Sequence, residues 1–469
     1  MKHFEKKCPF ICYEGESGSK NIDILPVMRG LSDIGDFSNE NLISILKNIF
    51  EIERLDDGSP KMFLVSEEVI KFLEDKLITF LPPENFSDSQ YSLLTEIFRS
   101  LRNSSSNASI QNFINEKTRI LNACKELFQS LDWSQTCTKI MLQFLMNLTT
   151  SNRKVTQRIK ELFYDDIRKS FQKNVCLYEC SALLYNISLF ISIGDQETVE
   201  KILDLYGSEE HNEFLCFFLE NSISSSGLWT NYINLKLENR LKILDFLKEM
   251  QIENRLQVLP DIGLEILIQK FLECGEVLLQ INGRNSLEVY EISSSLEILS
   301  SLSSKEEYLK KLQTNKDVLV NAGALLINIH RLGKVSNNSF TPIQKIFENG
   351  SENSELNIDP VFGFKTDLVR LIGNMCWKNF DLQNLARTAE IIPVILDSCN
   401  IDAKNPFIMQ WCILAIRNLC ENNIENQKVI ASLHQEGTVS NEVLDEMGIA
   451  LHTDGKNQLK IVNLESLRK

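Results

Sequence analysis

The strongest pattern along the chain is a recurring apolar segment of helical period that carries an asparagine near its end. In the segment that begins at Asn405, only a narrow stripe containing Gln410, Arg417 and Asn418 is polar. Asn405 is expected to cap this helix, with Pro406 at its first position. Because so narrow a polar stripe requires neighbours on most sides, the pattern predicts an inner helix packed between two repeats.

Similar segments recur along the chain. They are separated by steps of 44, 39, 142, 46 and 44 residues, and their asparagines are Asn103, Asn147, Asn186, Asn328, Asn374 and Asn418. The long gap divides into thirds near Asn234 and Asn282, with weaker matches. A period of ~40–47 residues is typical of armadillo and HEAT arrays. The sequence therefore predicts an all-α fold, an armadillo/HEAT-like right-handed superhelical solenoid of two- to three-helix repeats.

Capping signals place further helices within these repeats. Ser66 and Ser87 are each expected to precede a helix, and Pro393 is expected in the first turn of a later one. The serines from Ser293 to Ser304 are expected to cap helices or to lie on a solvated helix surface. No persuasive strand pattern is found.

The organisation along the chain follows from these signals. Residues 1–35 are expected to form a mobile or loosely attached N-terminal segment, and residues 36–331 to form armadillo-like helical repeats. Residues 332–360 are expected to be a polar insertion loop with a short helix at 343–347. Residues 361–469 are expected to form a C-terminal domain that completes the solenoid. The division of the repeats between Asn186 and Asn328 stays open.

Composition narrows the functional classes. Lys plus Arg number 49 against 64 Asp plus Glu, a net charge of −15, which argues against nucleic acid or an anionic membrane surface as partner. The apolar runs are shorter than the ~20 residues that a membrane-spanning helix needs, so no membrane insertion is expected. Most of the 12 cysteines stand singly in apolar helical patterns, as in reducing compartments. These features predict a cytoplasmic protein.

Enzymatic chemistry finds little support in the sequence. Phosphate-binding, zinc-protease and serine-hydrolase motifs are absent, and the chain has five histidines. Cys8, Cys12 and His3, or Cys176 and Cys180, offer only a faint metal-binding pattern. We therefore expect no enzyme, no cofactor and no metal site, with a thiol or metal enzyme that uses Cys8, Cys12 and His3 as a remote alternative.

The asparagines of the apolar segments suggest how a partner is bound. A carboxamide can donate to one peptide carbonyl and accept from the next amide, as peptide-binding helical arrays require. The alternative is that each asparagine closes its own helix and bonds to the following loop. Near the C-terminal end, Arg370, Asn374 and Lys378 share one stripe, and Trp377 lies at a helix end. Core packing is the expected role of Trp411.

The candidate protein interface contains the residues of these stripes, with an ordinary solvated face as the alternative. Its members are Arg370, Asn374, Trp377, Lys378, Gln410, Arg417, Asn418, Asn147, Asn186 and Asn328.

Residues 362–433 also carry a family resemblance. The blocks LIGNMCW, IPVILDSCNID, NPF and AIRNL follow one another as in the C-terminal conserved domain of the ataxin-10 family, which this region closely resembles. The resemblance implies a non-enzymatic armadillo-like solenoid that acts through protein partners in the cytoplasm, with perinuclear, centrosome or midbody association. It also implies roles in cytokinesis, neuronal survival and neurite outgrowth.

The repeats and the resemblance together predict a protein-protein interaction scaffold whose concave face binds another protein. One alternative is an adaptor or regulator that engages a GTPase or a G-protein subunit. Another is self-association through the C-terminal repeats, since the end of a solenoid needs either a polar cap or a partner.

Overall fold

The computed structural model describes residues 39–50, 66–82, 86–105, 107–131, 136–273, 286–335, 338–342, 361–400, 402–433, 448–453 and 459–463. The expected N-terminal segment and the short helix expected at 343–347 lie outside these residues. Contacts divide the chain into an N-terminal unit, Met1–Asn234, and a C-terminal unit, Leu235–Lys469.

The N-terminal unit is built from helices in two rows. α1, α3, α6, α8 and α10 pack side by side in a first row, and α2, α4, α5, α7 and α9 form a second row. The bounds are α1 (Asn39–Phe50), α2 (Glu67–Ile78), α3 (Asp88–Ser104), α4 (Ala108–Lys117), α5 (Ile120–Phe128), α6 (Thr136–Thr149), α7 (Arg153–Gln172), α8 (Leu177–Ser188), α9 (Gln196–Leu205), α10 (Glu213–Ile223) and α11 (Ser226–Asn231), followed by a 3₁₀ helix (Tyr232–Asn234).

The C-terminal unit repeats this arrangement. Its first row contains α12, α14, α17 and α20, and its second row contains α13, α16, α18, α19 and α21, with α15 packed on α16 and α17. The bounds are α12 (Leu237–Ile252), α13 (Asp261–Leu272), α14 (Ser286–Leu302), α15 (Glu306–Thr314), α16 (Lys316–Val335), α17 (Phe364–Met375), α18 (Phe380–Thr388), α19 (Ile391–Asp397), α20 (Ile408–Cys420) and α21 (Ile424–Ser432).

The prediction of an all-α fold of packed helical repeats is confirmed, with one exception. A short antiparallel hairpin joins β1 (Ile449–Thr453) to β2 (Leu459–Asn463), with Leu451 opposite Ile461. The expectation of no strand is wrong at this point. Each strand has five residues, and apolar and polar positions do not alternate strictly in either one, so the pattern that predicts a strand is missing.

Apolar side chains fill the space between the packed helices of each unit. Phe128 of α5 meets Phe163 of α7 edge to face, with ring centroids 5.7 Å apart, and Phe271 and Phe364 are fully buried in the C-terminal unit. Within the described residues, no helix combines the length and apolar character that crossing a bilayer requires.

Helix starts follow the capping signals. Ser87 forms a capping box with Gln90, and Pro393 lies in the first turn of α19, as predicted. Ser66 precedes α2 but makes no capping hydrogen bond with its side chain. A polar residue thus precedes these helices even where its side chain forms no capping hydrogen bond.

Candidate functional site

The asparagines of the first row bond to the preceding repeat. Asn147 Nδ2 donates to the carbonyl of Arg102 at 2.9 Å, Asn186 Nδ2 to that of Met146 at 3.2 Å, and Asn418 Nδ2 to that of Gly373 at 3.0 Å. Each bond reaches a carbonyl in the last turn of the preceding first-row helix, where backbone carbonyls lack the regular partner of the helix interior. This arrangement differs from both uses that the sequence suggested, because the carboxamide links repeats.

Two further members complete the row. Asn374 Nδ2 donates to Ser303 Oγ at 2.9 Å. Asn221 Nδ2 donates to the carbonyl of Ser188 at 2.8 Å, and sequence reasoning missed this residue. Its only signal was a position 35 residues after Asn186, shorter than the steps between the other asparagines.

The placement of Asn328 in this row requires a correction. Asn328 lies on α16, which packs against α13, α18 and α19 of the second row. A second-row helix also has an apolar face and can also carry an asparagine, so the sequence pattern does not separate the rows. Of the weaker matches, Asn234 lies in the 3₁₀ helix and Asn282 outside the described residues.

A second polar module occurs once in each unit. Gln111 Nε2 donates to the carbonyl of Asn147 at 3.0 Å, and Asn152 Nδ2 donates to Gln111 Oε1 at 3.0 Å. The same bonds recur in the C-terminal unit, where Gln383 Nε2 donates to the carbonyl of Asn418 at 2.9 Å and Asn423 Nδ2 to Gln383 Oε1 at 3.2 Å. The two glutamines stand in similar tripeptides, IQN at residues 110–112 and LQN at residues 382–384.

Asn405 also acts on its neighbour rather than on its own helix. Its Oδ1 accepts hydrogen bonds from the backbone N–H groups of Lys365 at 3.0 Å and Thr366 at 3.3 Å, in the first turn of α17. α20 begins only at Ile408, after Phe407 in a left-handed conformation. The predicted cap is therefore wrong, because the buried carboxamide satisfies α17 instead.

A groove with a volume of about 340 Å³ opens between α14, α15, α17 and α20. Its lining includes four predicted interface residues, Asn374, Trp377, Arg417 and Asn418. Trp411 and Leu414 of α20 complete the apolar part of the lining, so Trp411 is half-buried beside the groove and is not part of the core.

Arg370 lies at the edge of this groove. Its guanidinium stacks over Trp411, with the central carbon 4.7 Å from the ring centroid. Its Nε is buried and has no acceptor, and within the part of the chain that the structure describes the side chain forms no ion pair. Burial lowers the pKa of Arg370, while Asp367 and Glu297 oppose that shift. The site thus contains a desolvated cation without a hydrogen-bonding partner.

Asp367, one turn before Arg370, is held in an unusual state. Burial raises the pKa of its carboxyl to about 7, against a hydrogen bond from Ser300 and with repulsion from Glu297 in addition. Ser300 Oγ lies 2.6 Å from Asp367 Oδ1. Near neutral pH this carboxyl is therefore partly protonated and only partly offsets the charge of Arg370.

Buried serines lie in α14 and directly after it, and Ser300 is the one that bonds to Asp367. Ser295, Ser300 and Ser303 are fully buried, so the expectation of a solvated surface is wrong for them. Ser295 Oγ donates to the carbonyl of Glu291 at 2.7 Å and Ser303 Oγ to that of Ser300 at 2.6 Å. Ser300 Oγ lies within hydrogen-bond distance of both the Glu297 carbonyl and Asp367 Oδ1 and has one proton for the two. A small side chain whose hydroxyl is satisfied locally permits close packing of α17 on α14.

The remaining predicted residues divide between groove rim and distant sites. Lys378 is exposed in the turn after α17, with its ammonium 4.5 Å from the Trp377 ring centroid. Gln410 is exposed on α20, one turn before Leu414. Asn147 and Asn186 belong to the other unit. The interface role of all ten residues stays a prediction.

Metal and nucleophile chemistry finds no foundation in the described residues. Across them, no three His, Cys, Asp or Glu side chains are grouped as a metal site, and Cys8, Cys12 and His3 lie outside them. His330 bridges Asp397 at 2.8 Å and Ser398 Oγ at 3.2 Å, an order that resembles a hydrolase triad. Ser398 is only 5% exposed at the end of α19, so its hydroxyl has no access to a substrate.

Comparison with known proteins places these features in a family. A model described as the spinocerebellar ataxia type 10 protein domain matches residues 364–462. Ataxin-10 of Xenopus tropicalis is 27% identical over 460 aligned residues, covering 90% of this chain and 92% of the relative. Ataxin-10 of Homo sapiens is 28% identical over 404 residues, covering 80% and 82%. These matches support assignment to the ataxin-10 family.

Other matches are shorter or more distant. An ataxin-10 homolog of Dictyostelium discoideum is 38% identical over 107 residues, covering 23% of this chain and 18% of that protein. Among solved structures, an engineered protein matches with a TM-score of 0.37 and 14% identity, covering 85% of this chain and 99% of the other. The family model spans α17 to β2, so the ataxin-10 region supplies two of the four helices that line the groove.

Proposed function

We propose that this chain is a non-enzymatic protein-binding scaffold of the ataxin-10 type and that the groove between α14, α15, α17 and α20 is its binding surface. Ataxin-10 relatives support the family, and the groove supports the choice of surface. The same proposal includes roles in the regulation of cytokinesis, in neuronal survival and in neurite outgrowth. It places the protein in the cytoplasm and at the centrosome or midbody.

The observation that carries the proposal is the half-buried Arg370 stacked on Trp411 without an acceptor. Arginine and tryptophan are the residue types most enriched among the side chains that dominate protein interfaces. Trp377, 38% exposed directly after α17, adds a second large aromatic surface. Exposed aromatic area beside an unpaired cation is costly in isolation and favourable when a partner covers it.

The chemistry of the groove favours binding over catalysis. Its described lining contains no histidine or cysteine, and Ser303 Oγ is engaged by Ser300 and Asn374. Glu306 pairs with Lys310 at 2.7 Å. A general base beside a free nucleophile, which acyl transfer requires, is not found among these side chains.

Affinity purification from dividing cells tests the proposal. Wild type is compared with an Arg370→Glu, Asn374→Ala, Trp377→Ala variant whose helicity and melting temperature are checked by circular dichroism. The matched control is Arg331→Glu with Leu332→Ala, both exposed on second-row α16. Partners lost by the groove variant and kept by the control support the proposal, and a GTPase or G-protein subunit among them identifies the adaptor alternative. An unchanged partner set contradicts the groove as the binding surface.

A second candidate function is self-association through the C-terminal end of the unit. Phe407 is 71% exposed and Ile413 65% exposed, and Met409 and Ile424 are also exposed on or next to the last two helices. Several exposed large apolar side chains on one terminal helix pair favour an interaction surface.

Sedimentation of the full chain across micromolar concentrations tests self-association. Ile413→Glu is expected to shift the protein to monomer, whereas Val335→Glu, at an exposed apolar position on α16, is expected to leave assembly unchanged. A wild-type monomer throughout contradicts this candidate.

A further inference from the structure

Arg370 differs from its counterpart on the first row of the other unit. Gln143 stands one turn before Asn147, as Arg370 stands one turn before Asn374. Gln143 accepts a hydrogen bond from Arg102 Nη1 at 2.6 Å and donates to Glu179 at 3.2 Å. Polar side chains of the N-terminal first row therefore satisfy one another, whereas Arg370 is left without an acceptor.

Arg417 repeats this feature on the next helix. It is exposed at the groove, and no described residue accepts a hydrogen bond from it or forms an ion pair with it. Between Arg370 and Arg417, the lining is formed by Trp411 and Leu414 of α20. Two guanidinium groups thus flank an apolar strip, and this arrangement complements a ligand that carries an acid beside an apolar group.

The dimensions of the groove indicate the length of such a ligand. Packed helices lie about 8–10 Å apart, so a path across α14, α17 and α20 is about 20 Å long. Extended chain rises about 3.3 Å per residue. The path therefore accommodates about six residues of an extended peptide.

We propose that the groove binds an extended peptide segment with a Glu or Asp carboxylate on Arg370 and an apolar side chain against Trp377 and Leu414. This inference rests on the proposed function and specifies the chemistry of the partner. The Arg370 guanidinium lies over the Trp411 ring, and the fork of N–H groups in a guanidinium matches a planar carboxylate in pairs.

The charges around Arg370 favour a carboxylate over a phosphate. Asp367 and Glu297 act on the guanidinium, and Glu306 lines the groove. A dianionic phosphate meets repulsion from these acids, whereas a monoanion matches the single charge of Arg370. Asn374, whose Oδ1 has no partner among the described residues, is placed to accept from a peptide N–H.

The test measures fluorescence anisotropy of capped seven-residue peptides with the full chain. The peptides carry Glu, Gln or phosphoserine at the centre and Leu, Phe or Ala two residues away. Glu peptides with Leu or Phe are expected to bind at least about tenfold more tightly than their Gln counterparts, as one charge-assisted hydrogen bond to a desolvated arginine provides. Arg370→Gln is expected to abolish that preference, and Arg331→Gln to retain it.

Folding failure is separated from loss of binding by Arg370→Lys. This variant keeps the charge but loses the planar stack on Trp411, so it is expected to keep the melting temperature and to bind Glu peptides several-fold more weakly. Equal binding of Glu and Gln peptides, or an unchanged preference in folded Arg370→Gln, overturns the inference.

Two other outcomes also overturn it. Tighter binding of phosphoserine than of Glu peptides replaces the carboxylate with a phosphate. Absence of peptide binding at about 1 mM, together with loss of cellular partners from the groove variant, overturns the extended acidic peptide and leaves the proposed function standing. Retention of all cellular partners is the separate failure of the proposed function.

Discussion

The first rows of the two units share one set of bonds to backbone carbonyls and differ in the pairing of one charged side chain, Arg370. In the N-terminal unit, Arg102 donates to Gln143 and Gln143 donates to Glu179. In the C-terminal unit, Arg370 stacks on Trp411 and no described group accepts a hydrogen bond from it. The polar side chains named in the N-terminal unit are hydrogen-bonded to one another, whereas Arg370 in the C-terminal unit has no acceptor among the described residues.

This difference separates what holds the array together from what is available to a partner. The carboxamide bonds of Asn147 and Asn418 appear in both units, so they belong to the repeat. Arg370 adds nothing to that pattern and leaves a polar atom unsatisfied at a cost in stability. Side chains that cost stability without a structural return are typical of functional sites.

The largest effect is expected from the module that both units share. Gln383→Leu removes the donor to the carbonyls of Cys376 and Asn418 and the acceptor for Asn423. Hydrogen bonds to Cys376, Asn418, Glu421 and Asn423 are lost, and each contributes about 1 kcal/mol, so the free energy of unfolding in urea is expected to fall by about 4 kcal/mol. The corresponding Gln111→Leu is expected to cost nearly as much. The exposed control Gln410→Leu is expected to stay within about 0.5 kcal/mol of wild type.

A large loss of unfolding free energy in one of the two glutamine variants and none in the other contradicts the comparison of the two units. In that case the module has a structural role in one unit only, and the difference at Arg370 no longer stands against a common framework.

The next effect concerns Asp367, whose pKa burial raises to about 7. Since the folded pKa lies above the unfolded value, the contribution to stability is full below about pH 4 and is lost as the pH rises through 7. Urea unfolding of wild type is therefore expected to weaken by on the order of 3 kcal/mol between pH 4 and 8 relative to Asp367→Asn. Ser300, Glu297, Lys248 and Arg370 surround this carboxyl in both proteins.

Identical pH profiles for wild type and Asp367→Asn contradict this account. They mean that Asp367 is ionised and offsets Arg370 as an ion pair. The C-terminal first row is then paired internally like the N-terminal one.

Sequence patterns predict the helical repeats more completely than they predict the candidate site. Periodic apolar segments predict helices because each helix needs one covered face, and the asparagine step marks the repeat because the same carbonyl recurs in each last turn. Asn328 was misassigned because a second-row helix satisfies the same pattern. The period therefore identifies repeats but not rows.

The site itself depends on contacts between helices that are distant in sequence. Arg370 and Trp411 are 41 positions apart, and no local pattern announces their stacking. The stripe marks Arg370 and Lys378 in the sequence and the helix-end position marks Trp377, whereas the same reading predicts helix caps or a solvated surface for the serines of α14. Burial of Ser300 and Ser303 follows from the approach of α17, which the sequence of α14 does not record.

Removal of the row asparagines is expected to have a moderate effect. Asn147→Ala and Asn374→Ala each delete one bond to the preceding repeat, at 2.9 Å in both cases. Each is expected to lose about 1 kcal/mol in urea unfolding, but only Asn374→Ala is expected to weaken binding of Glu peptides. Weakened peptide binding by Asn147→Ala extends the binding surface to the N-terminal unit and removes the distinction.

The smallest change in stability is expected where the comparison is sharpest. Arg102→Met deletes a hydrogen bond to Gln143 and is expected to cost about 1 kcal/mol. Arg370→Met loses the stack on Trp411 but also removes an unsatisfied buried N–H, so the free energy of unfolding is expected to stay within about 0.5 kcal/mol of wild type. Parallel urea unfolding of the two variants measures both. A loss of about 2 kcal/mol or more for Arg370→Met means that this guanidinium stabilises the fold as Arg102 does, and the C-terminal first row then resembles the N-terminal one in its charges as well as in its backbone.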